Sequence, residues 1–459
     1  MIESQAVPHA PPMAEEDKEA SEHVLRAATT APLASSNSHQ AGSARGWFRR
    51  DVIAFFLLGH TMALPMTILS TAAHSMFGGF TGVFMIVVSL SVIATAFPTP
   101  PILRFIPHWL RVALIFVGSC LSFYFSTLGE PKIPPGQISG TSMAATVHAF
   151  ATCAFHETSA YFDPRTHAAF STGSSSAVLV GPALYIGLMQ AYDGKWRTVL
   201  LVCLCVAPLF PMVWWGLVPA QGRRAAEEGR RAARSKRRRT STGTSTPVED
   251  PEKDAGVTQT TPPTATSTSG FGPERTRTGL FFKCLLPKYV VPQAITVLLG
   301  LVALFGLAPV FMYLYSFDKV PMGELQFQLC YLTYAFAAFL ASTFTPSIPL
   351  WALSVGQALL LVLSLVNITH PFFTYYGVWI MIIFLHGAFV GAAVRNTSRK
   401  IDGDFRRRGE PEAVRAWAVS YGGGLGNVVG DFLGGACAIM VQRLVFLWMK
   451  AGGRIPPAT

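Results

Sequence analysis

The residues best suited to chemistry lie in the last apolar stretch of the chain, where an amide and a carboxylate interrupt a run of glycines. Asn427 and Asp431 are four residues apart, so on a helix they would share one face, one turn apart. A carboxylate deep in a bilayer costs about 2.5–3.5 kcal/mol on insertion scales, so it faces a cavity, binds a proton or pairs with another group. We interpret Asp431 as a candidate proton or cation site and Asn427 as its neighbour in a solute pathway.

The glycines around these two residues form a pattern of their own. Gly422, Gly426, Gly430 and Gly434 recur every four residues and would form one nearly straight stripe on a helix. A stripe without side chains lets two helix backbones approach closely, so it predicts helix packing. Packing alone remains the simpler interpretation of the whole segment.

Further candidates for a polar pathway lie in three other apolar stretches. Glu157 stands near the end of one, His386 lies in the middle of another, and Ser171 with Thr172 opens a third. Each has a simpler explanation. A carboxylate at a span end can reach water, a lone histidine can be hydrogen-bonded inside the bundle, and hydroxyls can bond their own backbone.

Signals for catalysis and for metal binding are weak. The seven cysteines include no C-x-x-C pair and no zinc-ligand spacing. Gly430-Asp431 and Tyr192-Asp193 resemble the paired aspartates of intramembrane proteases, but Val428 stands where that motif needs a glycine. No nucleotide-binding loop or nucleophile elbow is present. We therefore expect no metal, no cofactor and no enzymatic activity.

Composition places the chain in a membrane. Of its 459 residues 51% are hydrophobic and 13% charged, whereas soluble proteins carry about 25% charged residues. A span of about 20 apolar residues crosses a bilayer. We read such spans at 52–76, 81–97, 108–129, 138–160, 167–191, 197–218, 285–315, 325–344, 349–367, 372–396 and 413–448. The last is longer than one crossing requires and is either one long helix or two helices with a break near Gly434-Gly435, so the total is eleven or twelve.

Charge and composition also predict the domain organisation. The predicted units are a disordered cytosolic tail (1–44), a six-helix bundle (45–222), a basic Ser/Thr/Pro-rich linker (223–279), a bundle of five or six helices (280–450) and a C-terminal tail (451–459). Basic clusters beside spans stay in the cytoplasm, so the linker and the N-terminus are predicted to be cytosolic. This layout is typical of an all-α polytopic membrane transporter built from two helical bundles.

The basic residues also suggest partners. The net charge of +11 does not indicate nucleic acid, because the basic residues flank apolar spans and do not cover a folded face. Besides the lipid bilayer itself, we expect anionic lipid headgroups at the cytosolic face and cytosolic protein partners at 223–279. Asn367-Ile368-Thr369 lies in a loop on the opposite side, where glycosylation of Asn367 is possible.

Short patterns recur in a fixed order through almost every span. Leu57-Leu58-Gly59 precedes Thr71-Ala72-Ala73-His74, Pro164-Arg165 precedes Ser171-Thr172-Gly173, and Gly391-Ala392-Ala393 precedes Asn396-Thr397. This ordered set resembles the battenin family of lysosomal and vacuolar membrane proteins. The resemblance implies a major-facilitator-like fold and roles in luminal pH, basic amino-acid handling and glycerophosphodiester clearance. His386 stands where the family has a glutamate, and the family's aspartate of the last span falls near Gly423, two turns before Asp431.

Three functions follow as hypotheses. The first is a lysosomal or vacuolar transporter or transport regulator, involved in luminal pH homeostasis and in export of a small polar solute, either basic amino acids or glycerophosphodiesters. The second is a non-transporting membrane scaffold in vesicle trafficking, which the changed polar residues favour. The third is an equilibrative nucleoside transporter, which shares eleven spans and a large cytosolic loop after the sixth.

Overall fold

The fold is described from a computed structural model of the chain. The structure describes residues 49–77, 81–103, 105–128, 135–159, 162, 164–228, 231, 279–315, 323–344, 346–370, 372–373, 375–410 and 412–452. The predicted N-terminal tail and most of the predicted linker lie outside these residues. The boundaries of the two predicted bundles therefore stay predictions.

Eleven long helices make up the described part of the chain, and no strand occurs in it. They are α1 (Arg50–Phe77), α2 (Thr81–Ala96), α3 (His108–Thr127), α4 (Pro135–Ser159), α5 (Pro164–Ala191), α6 (Trp196–Gly216), α7 (Phe281–Phe311), α8 (Gly323–Phe344), α9 (Leu350–Thr369), α10 (Tyr376–Arg407) and α11 (Glu412–Ala451). Within the described ranges nine of them are long and apolar enough to cross a membrane. The exceptions are α2, which is apolar but shorter, and α4, which is rich in Ser, Thr and Ala. The prediction of an all-α polytopic membrane protein is confirmed.

The last apolar stretch forms a single helix. α11 runs for 40 residues without interruption through Gly434 and Gly435. Both glycines lie against neighbouring backbone, because an ideal Cβ on Gly434 would lie 3.1 Å from the Leu298 carbonyl oxygen and one on Gly435 would lie 2.9 Å from that of Gly82. Because α7 and α2 cover the backbone at these two glycines, little of it is exposed, and the helix continues through them without a break. The described part of the chain therefore has eleven long helices, and the last apolar stretch contributes one of them.

Helix packing repeats between the first six helices and the last five. α1 packs on α5 as α7 packs on α11, and α2 packs on α4 as α8 packs on α10. Two further pairs, α2 with α11 and α5 with α8, join the two sets. Each helix of the first set corresponds to the helix six positions later in the second set. Exchanging corresponding helices turns α1–α5 into α7–α11, α2–α4 into α8–α10 and α2–α11 into α8–α5, which is the pattern of an approximate two-fold repeat. The two halves of the sequence do not show this repeat by themselves.

Glycines make the closest of these crossings possible. An ideal Cβ on Gly59 of α1 would lie 2.0 Å from the Phe170 carbonyl oxygen, and one on Gly173 of α5 would lie 1.9 Å from that of Phe56. In the other half, a Cβ on Gly387 of α10 would lie 2.2 Å from the Tyr334 carbonyl oxygen. No side chain fits at these distances, so the α1–α5 and α8–α10 pairs touch backbone to backbone.

Candidate solute pathway

Asn427 and Asp431 form one polar unit on α11. The Asn427 amide donates a hydrogen bond of 3.2 Å from Nδ2 to Asp431 Oδ2, one turn along the helix. Both side chains are only partly buried, although the helix around them is packed on several sides. A carboxylate that lies within the bundle and is not fully covered is what we expect of a residue that lines a solute pathway.

The glycine stripe explains the direction of this polar unit. Ideal Cβ atoms on Gly426, Gly430 and Gly434 would lie 2.9 Å from Gln293 Oε1, 2.7 Å from Val297 Cβ and 3.0 Å from Leu301 Cβ, all on α7. A Cβ on Gly422 would lie 2.6 Å from Ile401 Cδ1 at the far end of α10. Because this stripe faces α7, the neighbouring row with Asn427 and Asp431 turns away from α7.

Two tyrosines of α8 complete the surroundings of the carboxylate. Tyr331 and Tyr334, almost one turn apart, both interact electrostatically with Asp431. Tyr331 also hydrogen-bonds the Ser70 side chain of α1. The carboxylate on α11 is therefore within electrostatic reach of α8, which itself packs on α1 of the other helix set.

A second polar cluster is buried between α9 and α10. Gln357 Nε2 lies 2.8 Å from His386 Nδ1, and Ser364 Oγ lies 3.3 Å from His386 Nε2. All three side chains are fully buried. With the amide donating to Nδ1, the imidazole is neutral, carries its proton on Nε2 and donates it to the Ser364 hydroxyl.

Gly300 of α7 lies between the two clusters. An ideal Cβ at this position would lie 3.0 Å from Gln357 Nε2 and 3.0 Å from the Tyr334 hydroxyl oxygen. Within the described residues, Gln357 Oε1 and the Tyr334 hydroxyl are buried without a hydrogen-bond partner. Buried polar groups in folded proteins are nearly always paired, so Gln357 Oε1 and the Tyr334 hydroxyl each retain an unused capacity for a hydrogen bond.

Glu157 lies in a different environment. Its Oε2 is 3.5 Å from Nη1 of Arg111 on α3, and the carboxylate side chain is 37% exposed, whereas that of Arg111 is 1% exposed. Arg111 also donates to the carbonyl oxygens of Ile106, at 3.0 Å, and Leu103, at 2.5 Å. The structure therefore places Glu157 in an ion pair between α3 and α4, outside the polar clusters described above.

The other sequence-predicted positions also have local partners. Ser171 and Thr172 are exposed and donate to carbonyl oxygens of their own helix, at His167 (3.2 Å) and Ala168 (2.9 Å). Asn367 is buried and accepts a 2.9 Å hydrogen bond from the Phe373 amide, which closes the loop between α9 and α10. A pathway role for the two hydroxyls and glycosylation of Asn367 stay predictions.

The sequence alone does not single out Tyr331, Tyr334, Gln357, Ser364 or Gly300 as site residues. Only Gln357 offered a signal, since an amide in an otherwise apolar span has to find a partner. In the sequence the two tyrosines are indistinguishable from packing residues, and only the structure puts them within electrostatic reach of Asp431.

Most of the chain matches one known protein family. The profile of the CLN3 protein family matches residues 53–446. The chain belongs to the CLN3, or battenin, family. The sequence-based resemblance to that family is thereby confirmed, and so is the assignment as a multi-pass membrane protein. No curated protein sequence matches the chain.

Solved structures agree with a major-facilitator-like fold for this CLN3 family member. A bacterial homolog to the human lysosomal transporter Spinster, inward-facing and unoccupied, matches with a TM-score of 0.54 at 16% identity, over 89% of this chain and 85% of that chain. A D-xylose-proton symporter matches with a TM-score of 0.51 at 11% identity, over 86% of this chain and 97% of that chain. At these identities the similarity concerns the fold and not the substrate.

Proposed function

We propose that this CLN3 family member is a transporter of the lysosomal or vacuolar membrane that exports a small polar solute and contributes to luminal pH homeostasis. The observation that carries the proposal is the position of Asp431. Its carboxylate lies within electrostatic reach of Tyr331 and Tyr334 on α8, is paired with Asn427 and is partly accessible. Nothing in packing alone requires a carboxylate at that place.

Alternating access gives this carboxylate its role. In transporters of this layout the solute site lies between two helix sets that rock against each other. Binding or losing a proton changes the charge of Asp431, and the change alters the cost of closing the surrounding helices over it. We therefore assign Asp431 the role of proton carrier.

Contacts between the helix sets support access from the predicted cytosolic side. The Thr81 hydroxyl at the start of α2 donates to the Phe305 carbonyl oxygen of α7 at 2.7 Å. The rings of His74 on α1 and Phe327 on α8 are 5.3 Å apart. By the charge bias both contacts lie towards the lumen, so in this conformation the two sets meet at the luminal end.

The polar lining favours a cationic solute. A carboxylate attracts an ammonium or guanidinium group, whereas a glycerophosphodiester would bring a second negative charge to the same place. The hydroxyls of Tyr331 and Tyr334 and the amide of Gln357 can hydrogen-bond the remaining polar groups of either solute. Of the two classes that the family resemblance implies, basic amino acids fit Asp431 better.

The test compares purified lysosomes from cells with and without the protein, with solute content and luminal pH measured together. We expect basic amino acids to accumulate without the protein, and wild type to restore their level where Asp431→Asn does not. Asp193→Asn is the matched control, because Asp193 is an exposed loop residue in the left-handed region (φ 52°) that asparagine also adopts.

Two results would contradict the proposal. Full restoration by Asp431→Asn would remove this carboxylate from the transport cycle. An unchanged solute profile, with only vesicle traffic disturbed, would favour the scaffold function. Accumulation of glycerophosphodiesters would keep the transporter but overturn the preference for a cationic solute.

A further inference from the structure

A second site lies away from the polar clusters, at the end of the bundle where α3 begins and α6 ends. A cavity of about 610 Å³ opens there. It is lined by the start of α3, by the end of α6 and by helical residues 220–228. Its volume falls in the range of small-molecule sites, about 300–1,000 Å³. Tryptophans and arginines dominate its lining: Trp109, Trp214, Trp215, Arg223, Arg224 and Arg231.

The charges in the cavity leave two guanidinium groups without an acid. Glu227 pairs with Arg231, with 3.4 Å between Oε1 and Nε, and Glu228, which also lines the cavity, is exposed. Within the described residues neither Arg223 nor Arg224 forms an ion pair. Nε of the partly buried Arg223 is itself buried without a hydrogen-bond partner, whereas Arg224 is exposed. A buried guanidinium nitrogen without a partner is stabilised by an anion that accepts its hydrogen bond.

The cavity also lies at a membrane–water boundary. Arg50 at the start of α1 donates to the carbonyl oxygens of Gly216 (2.7 Å) and Leu217 (2.9 Å), so α1 begins where α6 ends. Basic residues lie next to the start of α1 and the end of α6, so this end of the bundle is predicted to face the cytosol. Trp109 and Trp215 are 62% and 51% exposed. Exposed tryptophans beside arginines are typical of headgroup depth.

We propose that this cavity binds the headgroup of an anionic lipid of the cytosolic leaflet, and that this headgroup carries a phosphate monoester. A planar guanidinium group binds two phosphate oxygens at once, and both Arg223 and Arg224 line the cavity. The exposed tryptophans favour a lipid over a soluble phosphate, because they would contact its glycerol and acyl parts. This site stands independently of the transport proposal.

The test titrates the purified full-length protein in detergent with a short-chain phosphatidylinositol phosphate. Short-chain phosphatidylcholine and the free inositol phosphate are measured beside it. Losing two charge-assisted hydrogen bonds weakens binding by about tenfold or more, so we expect that loss for Arg223→Gln with Arg224→Gln. The matched control, Arg237→Gln with Arg238→Gln, removes the same charge from the basic linker and is expected to bind like wild type.

Three outcomes would overturn the site. Equal losses in both double variants would mean diffuse attraction to the basic linker. Equal affinity for free inositol phosphate would mean a soluble-anion site, and equal affinity for phosphatidylcholine would exclude headgroup recognition.

Arg223→Lys with Arg224→Lys retains the charge and guards against misfolding of the glutamine pair. We expect its affinity to lie between those of wild type and the glutamine variant, and wild-type affinity would contradict pairing by guanidinium groups.

Discussion

At the scale of single residues, His386 and Gln357 show how a membrane bundle holds neutral polar groups. Each supplies the other's hydrogen bond in a fully buried place. We expect His386→Leu or Gln357→Leu alone to lower the free energy of unfolding by about 1–3 kcal/mol, because each leaves its partner unpaired. The double variant should lose less than the sum of the two. Thermal unfolding in detergent measures all three, and additive losses would show that the pair does not interact.

The Arg111–Glu157 pair is expected to be strongly asymmetric. Glu157→Gln removes a half-exposed partner at 3.5 Å, which is worth at most about 1 kcal/mol. Arg111→Met leaves the Ile106 carbonyl oxygen without its side-chain donor, at about 1–3 kcal/mol, and takes one of two donors from the Leu103 carbonyl oxygen, which still accepts from the Ile106 amide at 3.2 Å. Melting temperatures of the two variants check this order, and similar losses would mean that the ion pair itself supplies the stability.

At the scale of elements, the glycine stripe of α11 is tested by two substitutions that differ only in surroundings. Gly430→Ala puts a methyl group 2.7 Å from Val297 Cβ, whereas Gly424→Ala meets nothing within 4 Å. We expect Gly430→Ala to destabilise by about 1–3 kcal/mol through overpacking. Gly424→Ala should stabilise by up to about 1 kcal/mol, since alanine is the better helix former. Equal effects in a thermal unfolding assay would mean that α11 does not pack on α7 along this stripe.

The elements themselves were largely predictable, and the exceptions have a common cause. Apolar length located the eleven spans, and the four-residue spacing singled out the glycine stripe. The sequence left open whether the last helix breaks at Gly434-Gly435, because glycine weakens an isolated helix. α7 and α2 cover these two glycines, so the decision depended on neighbours that lie far away in sequence.

At the scale of the whole molecule, the luminal contact between α1 and α8 predicts a conformational lock. The rings of His74 and Phe327 are 5.3 Å apart, so cysteines introduced at both positions are within reach of a short thiol cross-linker. With a cross-linker that joins the two cysteines through disulfide bonds, we expect cross-linking to stop solute flux and a reductant to restore it, because the two helix sets must separate there for luminal access. The two single-cysteine variants, treated alike, are the controls. Undiminished flux after complete cross-linking would contradict alternating access at this end.

The sequence by itself determined the class of protein: all-helical, membrane-spanning, with its basic residues beside apolar spans and a family signature in order. The bilayer core holds no water that could satisfy unpaired backbone groups, so a spanning segment forms a helix whatever the tertiary structure, and apolar length and charge position suffice to assign the class. Only the tertiary structure decided which polar groups meet. It brought Asp431 to Tyr331 and Tyr334, and placed Glu157 beside Arg111. The reason is that lipid is as apolar as the bundle interior, so a spanning helix shows no amphipathic pattern to reveal which face turns inward.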